Sequence, residues 1–222
     1  MRLLAIGDIH GCSQAFDALL TVVAPTADDW LITLGDYVDR GPDSRGVIER
    51  LIDLNTGGRL VALLGNHEEM MLDARYAPAA FAAWVEFGGQ ETLDSYPARP
   101  EPGLPGVPDE HWRFLEQTCI DRFETDRHFF VHGNVLPDVP ISDQPIEVLH
   151  WEKFGPSRPH ISGKTMICGH TAQRNGRPRD LGHAVCIDTY AYGGGWLTCL
   201  DAASGFYWQA NQKGDTRTGQ LA

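Results

Sequence analysis

Asp8 and His10 alternate directly after the apolar run LLAI, and Asp36, Asp39 and Arg40 follow Gly35 within five residues. Asn66 and His67 come just after Gly65, His132 just before Gly133, and His170 just after Gly169. The segments are LLAIGDIHG (3–11), LITLGDYVDRG (31–41), VALLGNHEE (61–69), FFVHGNV (129–135) and MICGHTAQ (166–173). Each is an apolar run closing on glycine plus Asp, Asn or His. Carboxylate, amide and imidazole ligands together suit first-row cations such as manganese, iron or zinc, not a thiolate structural site. Asp36 can bridge two ions, with Asp8 and His10 on one side and Asn66, His132 and His170 completing the set. Two ions about 3.5–4 Å apart form a clamp for in-line phosphoryl displacement, holding phosphate oxygens and lowering the pKa of a shared water. His67 is placed to protonate the leaving oxygen, Asp39 to hold its ring, and Arg40 to grip the phosphate bidentately.

Taken singly, a Gly-Asp or Gly-His pair after a strand is usually a turn. Joint occurrence at five strand ends is what points to a site. His111, His128, His150 and His160 lie away from such ends and read as surface or packing residues. Trp84, Trp112 and Phe114 read as core of an insertion, and Cys12 and Cys168 as small packing side chains.

The elements that must position these residues follow from periodicity. Residues 2–6, Trp30–Leu34 and Leu60–Leu64 read as strands. Phe16, Leu19, Leu20 and Val23 recur at helical spacing after a possible cap at Ser13; Val47, Ile48, Leu51 and Leu54 do so after Asp43 or Ser44, and a third helix begins near Glu68. This order predicts βαβ units around a parallel sheet whose C-terminal edge is the binding edge. Residues 76–125 are expected to be a helical and loop insertion, with a proline-rich loop over Pro97–Pro108 and a helix over Asp109–Asp121. Strands are expected at 127–132, 165–168, 183–188, 196–200 and 205–209, antiparallel or mixed, with a frayed polar tail over 211–222. The expectation is a single domain over 1–222.

Composition narrows the partners. A formal charge of −12 argues against nucleic acid, although a pair of cations can make one cleft attractive to phosphate. The five cysteines show no CxxC spacing, which suits a reduced, cytoplasmic setting. Only four apolar residues separate Met1-Arg2 from Gly7, too few for a signal core or a membrane span.

GDIHG (7–11), GDYVDRG (35–41), GNHE (65–68), HG (132–133) and GH (169–170) resemble the five signature blocks of the calcineurin-like metallophosphoesterases. The wording of the second and third blocks is similar to the phosphoprotein phosphatase branch, especially its small bacterial members. The resemblance implies an α/β four-layer sandwich, two mixed β-sheets flanked by helices. It implies two divalent ions, manganese first and iron or zinc as alternatives, held by Asp8, His10, Asp36, Asn66, His132 and His170. It also implies His67 as general acid with Asp39 behind it, Arg40 on the phosphate, and attack by a metal-bridging hydroxide. The expected activity is a phosphomonoesterase acting on phosphoserine, phosphothreonine or small phosphoesters. The alternatives are a symmetrical dinucleoside polyphosphate hydrolase, against which GNHE in place of GNHD counts, and a non-catalytic phosphate-binding module. Two departures from the family pattern stand out: Tyr190 where a glycine is commoner, and Lys153 where a second phosphate-binding arginine is usual, with Arg158 the competing candidate.

Overall fold

The computed structural model describes residues 1–97, 104, 106–156 and 158–221. In chain order the elements are β1 (Leu3–Ile6), α1 (Ser13–Val23), β2 (Trp30–Thr33), α2 (Ser44–Thr56), β3 (Leu60–Ala62), α3 (Asn66–Asp73), α4 (Pro78–Trp84), α5 (Gln90–Ser95) and α6 (Asp109–Arg113). There follow β4 (Arg122–Glu124), β5 (His128–Val131), α7 (Ile146–Trp151), β6 (Thr165–Cys168), β7 (Arg179–Asp180), β8 (Ala184–Cys186), β9 (Leu197–Asp201), β10 (Phe206–Ala210) and β11 (Thr216–Gln220). Short π-helical turns join α4 to α5 (Val85–Gly89) and extend α6 (Phe114–Thr118).

The strands form two sheets, ordered β11-β10-β9-β1-β2-β3 and β4-β5-β6-β8-β7. β1, β2 and β3 are parallel, as are β5, β6 and β8, while β9, β10 and β11 and the edge strands β4 and β7 run antiparallel. Alternation along the strands builds the layers. In β1, Leu4 and Ile6 face α1 and α2 in a core with Phe16, Leu19, Val47 and Ile48, while Ala5 faces the other sheet. Between the sheets Ala5, Ile32, Leu34, Val61, Phe130, Ile167 and Val185 make a second core. Phe129, Val131, Met166 and Cys168 face outward onto Leu149 and Phe154. The central strands of both sheets are therefore buried on both faces, and the parallel ones end along one edge, which the site occupies.

Three expectations are corrected. The stretch 211–222 is not frayed over its described residues, because β11 pairs with β10 from Thr216 to Gln220. Its polar composition is that of an exposed edge strand, where charged and hydroxyl side chains guard unpaired backbone. The stretch 76–125 includes β4, which pairs with β5, so only its earlier part lies outside the sheets. The helix expected over Asp109–Asp121 is an α-turn passing into a π-turn, and Ile120 pairs with Leu63 beside β3. Of the proline-rich loop, residues 98–103 and 105 lie outside the described residues. Trp84, Trp112 and Phe114 pack into the same core as α1 and α2. All five cysteines are free thiols, and no described helix is long and apolar enough to cross a membrane.

Candidate active site

The motif residues converge although they come from two sheets. Asp8 and His10 follow β1, Asp36, Asp39 and Arg40 follow β2, and Asn66 and His67 open α3 behind β3. His132 and His170 follow β5 and β6 of the other sheet. His10, Asp36, Asp39, Arg40, His170 and Tyr190 all have positive φ, and Ala24, at the end of α1, is the other such non-glycine among the described residues. Such backbone is costly, and it is concentrated where the chemistry would be.

One brace was visible in the sequence only as a letter in a motif. Glu68 is fully buried and accepts hydrogen bonds from the backbone N–H groups of Gly65 (3.0 Å), Asp36 (2.8 Å), Tyr37 (2.7 Å) and Val38 (3.2 Å). It caps α3 and holds the loop that carries Asp36 and Asp39. Gly169 serves a close approach, since a Cβ there would collide with the Asp8 carboxylate.

The imidazoles are oriented by carbonyls. His10 Nδ1–H donates to Val38 O (2.8 Å), His132 Nδ1–H to Leu34 O (2.8 Å), and His170 Nε2–H to Trp151 O (3.0 Å). The opposite nitrogen of each ring is then a lone pair facing inward. His132 Nε2 lies 3.2 Å from His170 Nδ1, 3.3 Å from Asp36 Oδ1 and 3.0 Å from Asn66 Oδ1, all of them acceptors. His10 Nε2 faces Asp36 Oδ2 at 3.3 Å and accepts from Arg40 Nη1 at 2.8 Å. Burial, despite the pull of Asp36, pushes His132 down to about 3 and keeps it neutral. Burial works against a charged His10, but the Asp36 carboxylate outweighs it and raises the ring above its ordinary value.

Buried acceptors aimed at one another have no hydrogen to share, and that arrangement fits a cation. His10, Asp36 and His67 present ligand atoms all within 4.8 Å of one another, and so do Asp36, His132 and His170. Asp36 is common to both groups. Asp8 stands beside them: its oxygens accept from His170 N–H (2.9 and 3.1 Å), and burial with Asp188 and Asp36 nearby raises its pKa well above the ordinary range. Asp188, after β8, is a third buried carboxylate here, held up to about 6 by burial. It lies in the stretch 186–201 that resembles the family's site-closing segment, and it was not singled out because no glycine flanks it at its strand end.

His67 Nδ1–H donates to Asp39 Oδ2 at 2.6 Å. Asp39 is fully buried, and its carboxylate also accepts from Trp84 Nε1 and Thr92 Oγ1. Burial raises Asp39 to about 7 and lowers His67 to about 3, His10 and Arg40 adding to the latter. A run of rings and cations leads outward: Arg40 lies 4.7 Å from the Tyr192 ring, Tyr192 is 4.8 Å from Tyr190, and Arg174 is 5.2 Å from Tyr190.

Lys153 and Arg158 part company. The Lys153 ammonium, after burial and together with Arg40, holds His170 below its ordinary pKa, so its charge reaches the cluster. Arg158 is exposed and paired with Asp138 at 2.6 Å. Lys153→Ala is therefore expected to raise KM several-fold with little change in kcat, while Arg158→Ala leaves both unchanged. Added salt should narrow the gap between Lys153→Ala and the parent. The reverse assignment of KM effects would move the phosphate contact to Arg158.

His150, expected to be a surface or packing residue, is a buried ion-pair centre. Its Nδ1–H donates to Glu69 Oε2 (2.9 Å) and its Nε2 lies 3.2 Å from Asp121 Oδ1. Burial opposes the charge, yet Asp121 and Glu69 prevail and lift the ring from 6.5 to about 9. Because the folded value lies above the unfolded one, this stabilisation is complete below about pH 6.5 and lost as pH rises through about 9. His150→Gln should lower urea stability at pH 6 by about 2 kcal/mol, after allowing for the solvent-exposed carboxylates, and by almost nothing at pH 10. An equal loss at both pH values would count against the ion pair.

Comparison with known proteins agrees with this geometry. Residues 1–186 match the family model described as calcineurin-like phosphoesterase. The chain is 34% identical over 203 residues to serine/threonine-protein phosphatase 1 of Salmonella typhimurium, covering 87% of this chain and 88% of that protein. It is 35% identical over 164 residues to a symmetrical bis(5'-nucleosyl)-tetraphosphatase of Ralstonia nicotianae, covering 68% of this chain but only 51% of that protein. Against two Acidovorax proteins of the same name the chain spans only about a quarter of their length. A cold-active protein-tyrosine phosphatase from a psychrophilic Shewanella shares the fold, with a TM-score of 0.67 at 17% identity over 99% of this chain and 80% of that one. The match over residues 1–186, with the donor groups just described standing at the ends of both sheets, shows that this chain belongs to the calcineurin-like phosphoesterases, a family that depends on two metal ions.

Proposed function

We propose that this protein is a metal-dependent phosphomonoesterase acting on phosphoserine, phosphothreonine or small phosphoesters. The observation that carries the reading is the shared carboxylate of Asp36, which closes two groups of inward-facing acceptors. One ion would be held by Asp8, His10 and Asp36, the other by Asp36, Asn66, His132 and His170, with manganese the first choice and iron or zinc alternatives. When bound, such ions supply Lewis acidity toward the phosphoryl oxygens and acidify water for attack.

The chain's own residues do the rest. The carbonyls of Val38, Leu34 and Trp151 fix the tautomers of His10, His132 and His170. Arg40 and Lys153 neutralise the phosphate as it enters, and the fork of Arg40 orients it. Arrival of a phosphate dianion beside His67 adds the negative charge that favours a protonated ring. With Nδ1–H held by Asp39, His67 Nε2 gives its proton to the leaving oxygen.

The end-to-end likeness to the Salmonella phosphatase supports a phosphoprotein substrate. A second reading, hydrolysis of a symmetrical dinucleoside tetraphosphate, is favoured by the Arg40–Tyr192–Tyr190–Arg174 run, whose rings and cations suit a base and a phosphate chain. Turnover of p-nitrophenyl phosphate with added manganese tests the class, and a phosphothreonine peptide against diadenosine tetraphosphate tests the substrate. No turnover of any phosphoester with any divalent cation would sink the enzymatic reading. Turnover of the dinucleotide alone would select the second.

A further inference from the structure

The α4–π–α5 segment, residues 78–95, reaches the acid through Asp39. Trp84 Nε1–H donates to both oxygens of the Asp39 carboxylate, 3.0 Å to Oδ1 and 2.9 Å to Oδ2. Thr92 Oγ1–H donates to Oδ1 at 2.7 Å. Having spent its proton there, Thr92 Oγ1 accepts from Ser44 Oγ–H at 2.9 Å and from Asp39 N–H at 2.8 Å. Trp84, Thr92, Ser44 and Asp39 are all fully buried. In so dry a setting these bonds are strong, and a missing one is not replaced by water.

The same segment holds the next residue. Gly88 O accepts from Arg40 N–H at 3.0 Å, and Gly88 sits at φ +112 inside the π-turn. A Cβ there would lie 2.7 Å from Arg40 Cγ and 3.0 Å from Arg40 N. Asp39 and Arg40 both have left-handed backbone, at φ 73 and 68. Two successive non-glycine residues in that region persist only where their surroundings over-determine them.

We propose that Trp84 and Thr92 are positioning residues for proton transfer, the Trp84 indole N–H and the Thr92 hydroxyl fixing the Asp39 carboxylate so that its Oδ2 aligns the His67 ring. This rests on the reading of His67 as the acid. Thr92 and Trp84 together fill Oδ1, the indole N–H bridging to Oδ2 locks the carboxylate plane, and one Oδ2 direction is left for His67 Nδ1–H. Without them the carboxylate rotates, and the ring it steers is no longer aimed at the leaving oxygen.

The test uses Trp84→Phe, Thr92→Val and Thr92→Ser in the metal-loaded protein, with His67→Asn alongside, on phenyl phosphate and p-nitrophenyl phosphate. Trp84→Phe and Thr92→Val should each lower kcat about 10- to 30-fold on phenyl phosphate, whose leaving group needs the proton. On p-nitrophenyl phosphate the loss should stay within about threefold, with KM unchanged on both. Thr92→Ser keeps the hydroxyl and should stay near the parent. In the His67→Asn background both substitutions should become silent, because residues acting through one group are not additive. Equal losses on the two substrates, or a Thr92→Ser protein as poor as Thr92→Val, would overturn the proposal in favour of plain packing. If His67→Asn itself lost both substrates equally, the acid reading would fall and this one with it. A selective loss in His67→Asn with unselective losses in the others would overturn this one alone. Should Trp84→Phe not fold, the two Thr92 variants decide, since they change one methyl or hydroxyl group.

Discussion

Asp36→Asn is expected to bind fewer than two metal ions per chain and to lose turnover on the order of 10³-fold. Asp36 is the residue common to both groups of candidate ligands, with Oδ2 3.3 Å from His10 and Oδ1 3.3 Å from His132. Its carboxyl group is held well below the ordinary range by His132, His67 and His10, which overcome the effect of its burial, so it is the fixed negative charge of the cluster. Asparagine keeps the shape, tolerates the left-handed φ of 52, and can still accept the 3.1 Å hydrogen bond from His67 N–H. The substitution therefore removes charge with little else, leaving two dications without the anion that offsets their repulsion. His10→Ala should be milder and partly rescued by excess manganese, because His10 belongs to one group. Metal content after gel filtration and turnover against manganese concentration are the measurements. Two tightly held ions and parent turnover at limiting metal would refute the shared-ligand reading.

His67→Asn should lower kcat by roughly 10²–10⁴-fold on an alkyl phosphate. On p-nitrophenyl phosphate, whose leaving group departs without a proton, the loss should be much smaller. The 2.6 Å contact to Asp39 makes Nδ1 the held nitrogen and leaves Nε2 as the one that would act. Asp39→Asn should give a weaker version of the same split, since the ring remains but loses its anionic partner. Parallel losses on both substrates would show that His67 binds or packs instead of donating a proton.

The strand ends were the legible part of this chain. An apolar run that stops at glycine and a polar residue announces both a parallel strand and the edge where it delivers side chains, so β1, β2, β3, β5 and β6 and their motif residues could be read together. Period and composition failed where partners are distant. Thr216–Gln220 looks like a tail because its strand identity comes from pairing with Phe206–Ala210, not from its own residues. Trp84 looked like packing, as a buried indole usually is, and nothing local says that its N–H meets a carboxylate 45 residues earlier. His150 sits away from any strand end, and its partners Glu69 and Asp121 are brought to it only by the fold. Lys153 took the position of the usual arginine in sequence, with Arg158 a few residues late as the competitor, and the pairing of Arg158 with Asp138 is visible only in the fold.

Because the donors come from the ends of two separate sheets, any ion seated there is also a rivet. His10 and Asp36 are carried by one layer and His132 and His170 by the other, layers also joined by the apolar core between them and by the His132–Leu34 and His170–Asp8 hydrogen bonds. Folding and ion uptake are then thermodynamically linked: a ligand held by the native state alone adds about 4 kcal/mol when its free concentration is a thousand times its dissociation constant. The melting temperature of this protein becomes a titration curve in metal activity. A chelated sample and a loaded one would be, to a calorimeter, two proteins of different stability with one sequence.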